Sequence, residues 1–366
     1  MSLPFATAKS LDGLPVYQPG RPIEEVAREL GMEFDQVIKL ASNENPLGPS
    51  PLAVEAMKRA VEQVHLYPDG NAFYLKNRLA DKLDVQPENL IFGNGSNEII
   101  EFTAHALLGA GDNIVVSEYC FAIYPIVAKM MGADVITVPA KDHGHDLPAM
   151  LEAITPATKA VFVANPNNPT GTLAAREDVV RLVNEIPDSV LLVMDEAYVE
   201  FLTSPVDLLP LIRRGDHPNL LLMRTFSKIF GLAGLRIGYG IGHPEFVSTL
   251  EKIRQPFNAN LVAQAGALAA LEDGDHLART RSNNEAGLKY LNHEFRRMGM
   301  NYVPSSANFV LVEVGDGGKV YSDLQAKGVI TRPMAGYKLP AWIRVSVGTP
   351  EENTRCVQEL KAILGK

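Results

Sequence analysis

The chain has 366 residues, 46% of them hydrophobic and 21% charged, with a formal net charge of −9. That is the composition of a water-soluble globular protein, and the length exceeds one ordinary core, so two domains are expected. An acidic balance without any long block of like charge argues against a nucleic-acid surface. The two cysteines, Cys120 and Cys356, imply no disulfide framework and read as small buried thiols in a reducing compartment. Met1–Ser10 has no basic start leading into an apolar stretch, and no apolar run reaches the ~18 residues that span a bilayer. The expectation is a soluble cytoplasmic protein with no membrane association.

Residues 1–50 are rich in proline and turn residues, as in Tyr17–Pro22 and Asn43–Pro49, with one short helical pattern at Ile23–Leu30. Such a segment cannot form its own core, so it should pack on another domain or on a second subunit. From 51 to 255 helical patterns alternate with short apolar runs. Helices are expected near 51–65, 73–83, 96–108, 121–131, 147–154 and 175–186, and strands near 90–92, 114–116, 134–138, 160–164, 190–194 and 220–223. Unbroken apolar runs with polar breaks fit strands covered on both faces, so this part reads as a large, predominantly parallel, doubly wound sheet. Near Gln255–Asn258 the pattern changes. Two long helical stretches (261–271 and 275–298) lead into short strands and helices, an α+β second domain over 256–366.

Several stretches carry possible chemistry. Val190–Met194 delivers Asp195, and Leu220–Met223 leads through Arg224-Thr225-Phe226-Ser227 to Lys228. In open α/β sheets ligands sit beyond the carboxyl ends of such strands, where an acid and a lysine could grip a cofactor from two sides. Asp195 would be costly at the end of an apolar strand unless it met a cation; its structural alternative is the N-cap of a following helix. Gly93-Asn94-Gly95-Ser96-Asn97-Glu98 lies between a strand and a helix and suits an anion at the helix start, or a plain capped turn. It fails as a dinucleotide fingerprint because the third glycine position is Glu98, and no P-loop is present. Asn165–Gly171 is a proline-fixed turn that could hold the Asn168 amide toward a ligand oxygen. Lys228 becomes a nucleophile if desolvated or set near Arg236. Phe121 and Tyr124 begin a helix; both serve as core, and Phe121 could also stack on a flat cofactor. His143-Gly144-His145-Asp146 sits in a polar turn without a second pair at ligand spacing, so no metal is expected.

Taken together, LASNENPLGPSP (40–51), NPNNPTG (165–171), DEAY (195–198), RTFSK (224–228), GLAGLR (231–236) and IRVSVGT (343–349) resemble the class I/II, fold-type I pyridoxal-phosphate (PLP)-dependent aminotransferases. Within that family the resemblance is to the histidinol-phosphate branch. It covers nearly the whole chain, and its ordered motifs specify the superfamily more sharply than the substrate. The resemblance implies that Lys228 carries PLP as a Schiff base and moves the proton, while Asp195 pairs with the pyridinium nitrogen. It implies that Asn168 and Tyr198 hold the 3′ oxygen, that Phe121 stacks on the ring, and that Gly95, Ser96, Asn97, Ser227 and Arg236, with Thr225 nearby, bind the phosphate. Tyr67 would reach the phosphate in a partner subunit, hence a homodimer with shared active sites. Arg344 would hold the substrate carboxylate, and Arg332 and Tyr17, with Asn43 or Asn45 nearby, the substrate phosphate. An amino donor and a 2-oxo acid are the implied small-molecule partners. The segment Pro333–Tyr337, a proline-fixed turn with an extra aromatic, departs from some relatives and would also suit phenylalanine or tyrosine as donor.

Overall fold

The computed structural model describes residues 7–366; the first six, which include most of Met1–Ser10, lie outside the described residues. Among the described residues thirteen strands form three sheets. In chain order they are β1 (Ile38–Lys39), β2 (Leu90–Gly93), β3 (Asn113–Ser117), β4 (Asp134–Val138), β5 (Thr158–Ala164), β6 (Leu191–Asp195) and β7 (Leu220–Thr225). They continue with β8 (Gly238–Gly242), β9 (Tyr302–Val303), β10 (Phe309–Glu313), β11 (Val329–Ile330), β12 (Arg332–Pro333) and β13 (Trp342–Ser346). The large sheet has the order β2-β8-β7-β6-β5-β3-β4. Its ladders are parallel except at β8, which runs antiparallel to both β2 and β7.

The apolar runs form strands because both faces are covered. Leu220 and Leu222 enter one core, while their neighbours Leu221 and Met223 enter the core on the opposite face. Leu192 and Met194 divide from Leu191 and Val193 in the same way. Each such side chain contributes roughly 1.5–3 kcal/mol of burial, which accounts for runs with no polar alternation.

A third core lies under the four-stranded sheet β12-β13-β10-β9, where Val310, Val312, Ile343 and Val345 meet Leu291, Phe295, Val357 and Leu360 of the covering helices. Strand β1 pairs in parallel with β11, and Ile38 and Leu40 enter this third core. The N-terminal segment is thereby stitched to the C-terminal part of the chain.

Three features differ from the sequence expectations. Strand β8 has the sequence Gly-Tyr-Gly-Ile-Gly and shows no apolar run, yet it lies inside the large sheet. Its glycines are required by close approach: a Cβ at Gly240 would meet Ile91 and Ile99, and one at Gly238 would meet the backbone of Gly95. The helices Leu209–Arg214 and Pro244–Glu251 also lacked a clear pattern in the sequence. Finally, the cores divide later than residue 255. Ala259, Ala263, Ala267, Ala270 and Leu271 belong to the core of the large sheet, because the helix Leu261–Ala270 packs on the helix Pro51–Val61. The long helix Gly274–Arg297 carries Leu291 and Phe295 into the third core.

Candidate active site

Ala164, Asp195 and Thr225 end three neighbouring strands at one edge of the large sheet. Ala164 pairs with Asp195, Asp195 with Met223, and Thr225 with the first residue of β8, Gly238. The Asn165 amide donates to the Asp195 carbonyl at 2.9 Å, so the turn after β5 leaves directly beside the acid. This is the sheet edge at which open α/β folds bind ligands. A cavity of about 370 Å³ opens there.

The cavity brings together most residues singled out in the sequence. Ser96, Asn97, Phe121, Asn168, Asp195, Tyr198, Thr225, Ser227, Lys228 and Arg236 line it from the large-sheet part. Tyr17, Asn43, Arg332 and Arg344 line it from the N- and C-terminal parts. Gly95 sits under it with a positive φ of +83°, and the Arg236 guanidinium lies where a Cβ would stand. Tyr67 does not line it. Its ring is exposed and stacks on Phe257 with centroids 4.8 Å apart.

The acid is held from two sides. Tyr124 donates its hydroxyl to Asp195 Oδ2 at 2.7 Å, and the Ala197 amide donates to Oδ1 at 3.1 Å. Burial pushes the Asp195 carboxyl above its ordinary pKa, while the Tyr124 and Ala197 bonds oppose that rise. Opposite lies Lys228, whose Nζ donates to the Ser42 carbonyl at 3.3 Å and sits 5.8 Å from the centre of the Tyr198 ring. Burial brings its pKa down to about 8, helped by the cations Arg344 and Arg236. An amine of that kind is a nucleophile at mildly alkaline pH.

The helix Ser96–Leu107 begins at Gly95 without a side-chain cap, which leaves its first N–H groups for an anion. Arg236 lies beside them, with Nη1 3.5 Å from Ser227 Oγ. Hydroxyl, guanidinium and helix start together suit a phosphate monoester. Thr225 Oγ1 accepts from the Ser227 amide at 3.1 Å and so braces this cradle as well as lining it.

On the other side, Arg344 is buried. Nη2 donates to the Ala41 carbonyl at 2.7 Å, Nη1 donates to Asn168 Oδ1, and the guanidinium lies 5.1 Å from the centre of the Phe309 ring. Among the described residues its Nε has no partner, an orphaned buried donor of a planar guanidinium whose geometry suits a carboxylate. Arg332 lies 5.7 Å from the Tyr17 ring and donates to the Gln18 carbonyl at 2.5 Å. Asn43 is engaged with Tyr198 and Ser346 rather than left free.

Two contributors were not singled out for the site in the sequence. Tyr124 read as core, although the spacing Phe121-x-x-Tyr124 places both rings on one side of a helical turn. Tyr337, noted only as an extra aromatic, lines the cavity with Arg332 and Arg344. The His143–Asp146 turn has other work. His143 stacks on Tyr119, His145 Nε2 bonds the Ala164 carbonyl at 2.9 Å, and Asp146 caps the helix Leu147–Glu152. Among the described residues, no group of three or more His, Cys, Asp or Glu side chains gathers as a metal site.

Residues 35–360 match the family described as aminotransferase class I and II. The chain belongs to the class I and II aminotransferases. It is 49% identical over 361 residues to a histidinol-phosphate aminotransferase of Akkermansia muciniphila, covering 98% of this chain and 99% of that protein. It is 47% identical to histidinol-phosphate aminotransferase 1 of Nitrosococcus oceani over 98% of this chain and 96% of that one. The solved histidinol-phosphate aminotransferase of Sinorhizobium meliloti, in complex with pyridoxal-5′-phosphate, superposes with a TM-score of 0.88 at 29% identity, covering 98% and 97% of the two chains. The cavity brings together a buried lysine, a buried acid, an uncapped helix start beside one arginine, and a second, buried arginine.

Proposed function

We propose that the chain is a PLP-dependent histidinol-phosphate aminotransferase. It moves the amino group of L-histidinol phosphate to 2-oxoglutarate, giving 3-(imidazol-4-yl)-2-oxopropyl phosphate and L-glutamate. The observation that carries this reading is the joining of Lys228, Asp195, Arg236 and Arg344 in one cavity, in a chain 49% identical to a histidinol-phosphate aminotransferase over nearly its full length.

The residues present fit PLP. The uncapped helix start at Ser96, with Ser227 and Arg236, would hold its phosphate. Asp195 would face the ring nitrogen as a carboxylate, Phe121 would support the ring, and Asn168 and Tyr198 would hold the ring oxygen. When bound, PLP supplies a reactive aldehyde carbon and an electron-accepting ring. Lys228 Nζ would be the attacking amine toward that aldehyde and the group that moves the proton of the substrate's amino-bearing carbon. Arg344, with its unpartnered Nε, takes a substrate carboxylate. Arg332 and Tyr17 take the phosphate of histidinol phosphate, and Asn43 keeps Tyr198 in place.

The same reading includes a cytoplasmic homodimer. Among the described residues no helix is long and apolar enough to cross a membrane. Leu66, Tyr67, Phe73, Tyr74 and Phe257 leave large apolar side chains exposed, a face suited to a second copy from which Tyr67 reaches the neighbouring phosphate cradle.

Turnover by the purified protein with L-histidinol phosphate, phenylalanine and tyrosine as separate donors tests the substrate. Activity confined to the two aromatic amino acids overturns the histidinol-phosphate assignment and leaves an aromatic aminotransferase. A visible absorption band that persists in Lys228→Ala would remove the role given to that lysine.

A further inference from the structure

The Tyr124–Asp195 bond is the shortest route by which the protein interior reaches the acid. Tyr124 is fully buried in the helix Ile123–Met130, one turn after Phe121. Its ring stacks on Phe162 of β5 with centroids 4.9 Å apart at 21°, and meets Phe121 edge-on at 5.6 Å. These contacts fix the ring, so the hydroxyl has one place to go: Asp195 Oδ2, at 2.7 Å. A tyrosine serving only as filler needs no such partner, and phenylalanine would pack equally well at this position.

We propose that Tyr124 is a positioning residue, holding the Asp195 carboxylate as an anion with its remaining lone pairs turned into the cavity. The proposal rests on the PLP reading above, in which Asp195 faces a ring nitrogen.

The physical argument is a competition for one proton. A buried carboxylate is desolvated, which makes it a stronger base and would draw the proton away from a ring nitrogen beside it. Each hydrogen bond donated to the anion weakens that pull. Asp195 receives two, from the Ala197 amide and from Tyr124. The amide belongs to the turn and is available to any acid at this position; the phenol is contributed by the side chain at 124. Its other charged surroundings are mixed: Glu196 adjoins Asp195 and opposes the anion, whereas Lys228 across the cavity favours it. Around Tyr124 itself stand Cys120 and Tyr198, and burial holds its own pKa well above the ordinary value, so it remains a donor across the working range. Tyr124 thus keeps the proton on the nitrogen, where it draws electrons into the ring.

The test uses the PLP-loaded protein with cofactor labelled with 15N at the ring nitrogen. In the unaltered protein the nitrogen resonance is expected at the protonated position. In Tyr124→Phe, which keeps the ring packing, it moves toward the unprotonated position, and kcat falls roughly tenfold or more with little change in KM. Incorporation of 3-fluorotyrosine at position 124, a stronger donor of nearly the same shape, leaves the nitrogen protonated and preserves kcat. A structural role alone would lower the melting temperature of Tyr124→Phe without moving the resonance, and an unmoved resonance overturns the proposal. If the unaltered protein binds no PLP, or holds it with an unprotonated nitrogen, the cofactor reading itself fails and the proposal falls with it.

Discussion

The Asn43 amide donates to the Tyr198 hydroxyl oxygen at 2.9 Å, across 155 positions of sequence. Ser346 closes the arrangement: its Oγ donates to Asn43 Oδ1 and accepts from the Asn43 backbone N–H, both at 2.9 Å. The Tyr198 oxygen therefore accepts inside the protein and keeps its own hydrogen for the cavity. The N-terminal segment, whose small cluster of Val26, Ala27, Val37 and Ala41 closes on Ile330, sets the donor direction of a residue in the large-sheet part. Asn43 does so from a left-handed backbone at φ +54°.

That conformation separates two substitutions at position 43. Asn43→Gly removes the side-chain bonds and accepts the backbone angle, whereas Asn43→Ala adds strain in the left-handed region. Both variants are expected to lose turnover by several-fold, and Asn43→Ala to unfold in urea at up to about 1 kcal/mol lower stability than Asn43→Gly. Equal stabilities, or a weaker glycine variant, would contradict the assignment of strain.

The lysine makes a pH prediction. Its pKa of about 8 in the folded protein lies below the ordinary 10.5, so the folded state binds fewer protons than the unfolded chain between those values. Stability contributed by this group therefore rises with pH from about 8 to 10.5, and the burial penalty is fully present below 8. The rate at which cofactor-free protein captures PLP should climb with pH and level off just above 8, because only the neutral amine attacks. Stopped-flow absorbance measures this; a rate still climbing toward 10.5 would show an unperturbed amine.

Behind the acid, Arg224 Nε and Glu196 Oε2 form a buried ion pair at 2.8 Å. Arg224→Met strands the Glu196 carboxylate and is expected to cost about 3–5 kcal/mol in urea unfolding at neutral pH. The double variant Glu196→Gln/Arg224→Met should lose clearly less than the sum of the single losses. Burial already raises the Glu196 pKa, and loss of Arg224 raises it further, so the penalty in Arg224→Met should shrink as pH falls and the carboxyl protonates. Additive losses would mean that the two side chains do not act as a pair.

Gly95 tests the phosphate cradle. Alanine there must adopt φ +83°, and its Cβ would displace the Arg236 guanidinium. Gly95→Ala should weaken PLP binding by roughly tenfold or more, as expected for loss of a charge-assisted contact. Equilibrium titration of cofactor-free protein reads this directly, and unchanged affinity would place the phosphate elsewhere.

Much of the site was legible because the motifs are local. RTFSK and DEAY each follow an apolar strand, and the spacing alone puts Lys228, Asp195 and Tyr198 near strand ends. The alternation of helices with strands covered on both faces likewise gave away the parallel sheet, since burial on both sides erases the polar positions. Strand β8 was illegible because glycines selected for close approach leave no apolar pattern. Tyr124 was illegible because a ring packed in a core and a ring that also donates to an acid have the same local signature.

Local order thus decided which groups the chain brings to the sheet edge: an amine, an acid, an uncapped helix start and arginines. Folding in three dimensions decided how those groups are tuned. The Asn43 bond to Tyr198, the orphaned Nε of Arg344, the Tyr124 bond to Asp195 and the lowered pKa of Lys228 each arise from burial and from partners distant in sequence. Desolvation and contact depend on what surrounds a side chain, and neither can be read from its neighbours along the chain.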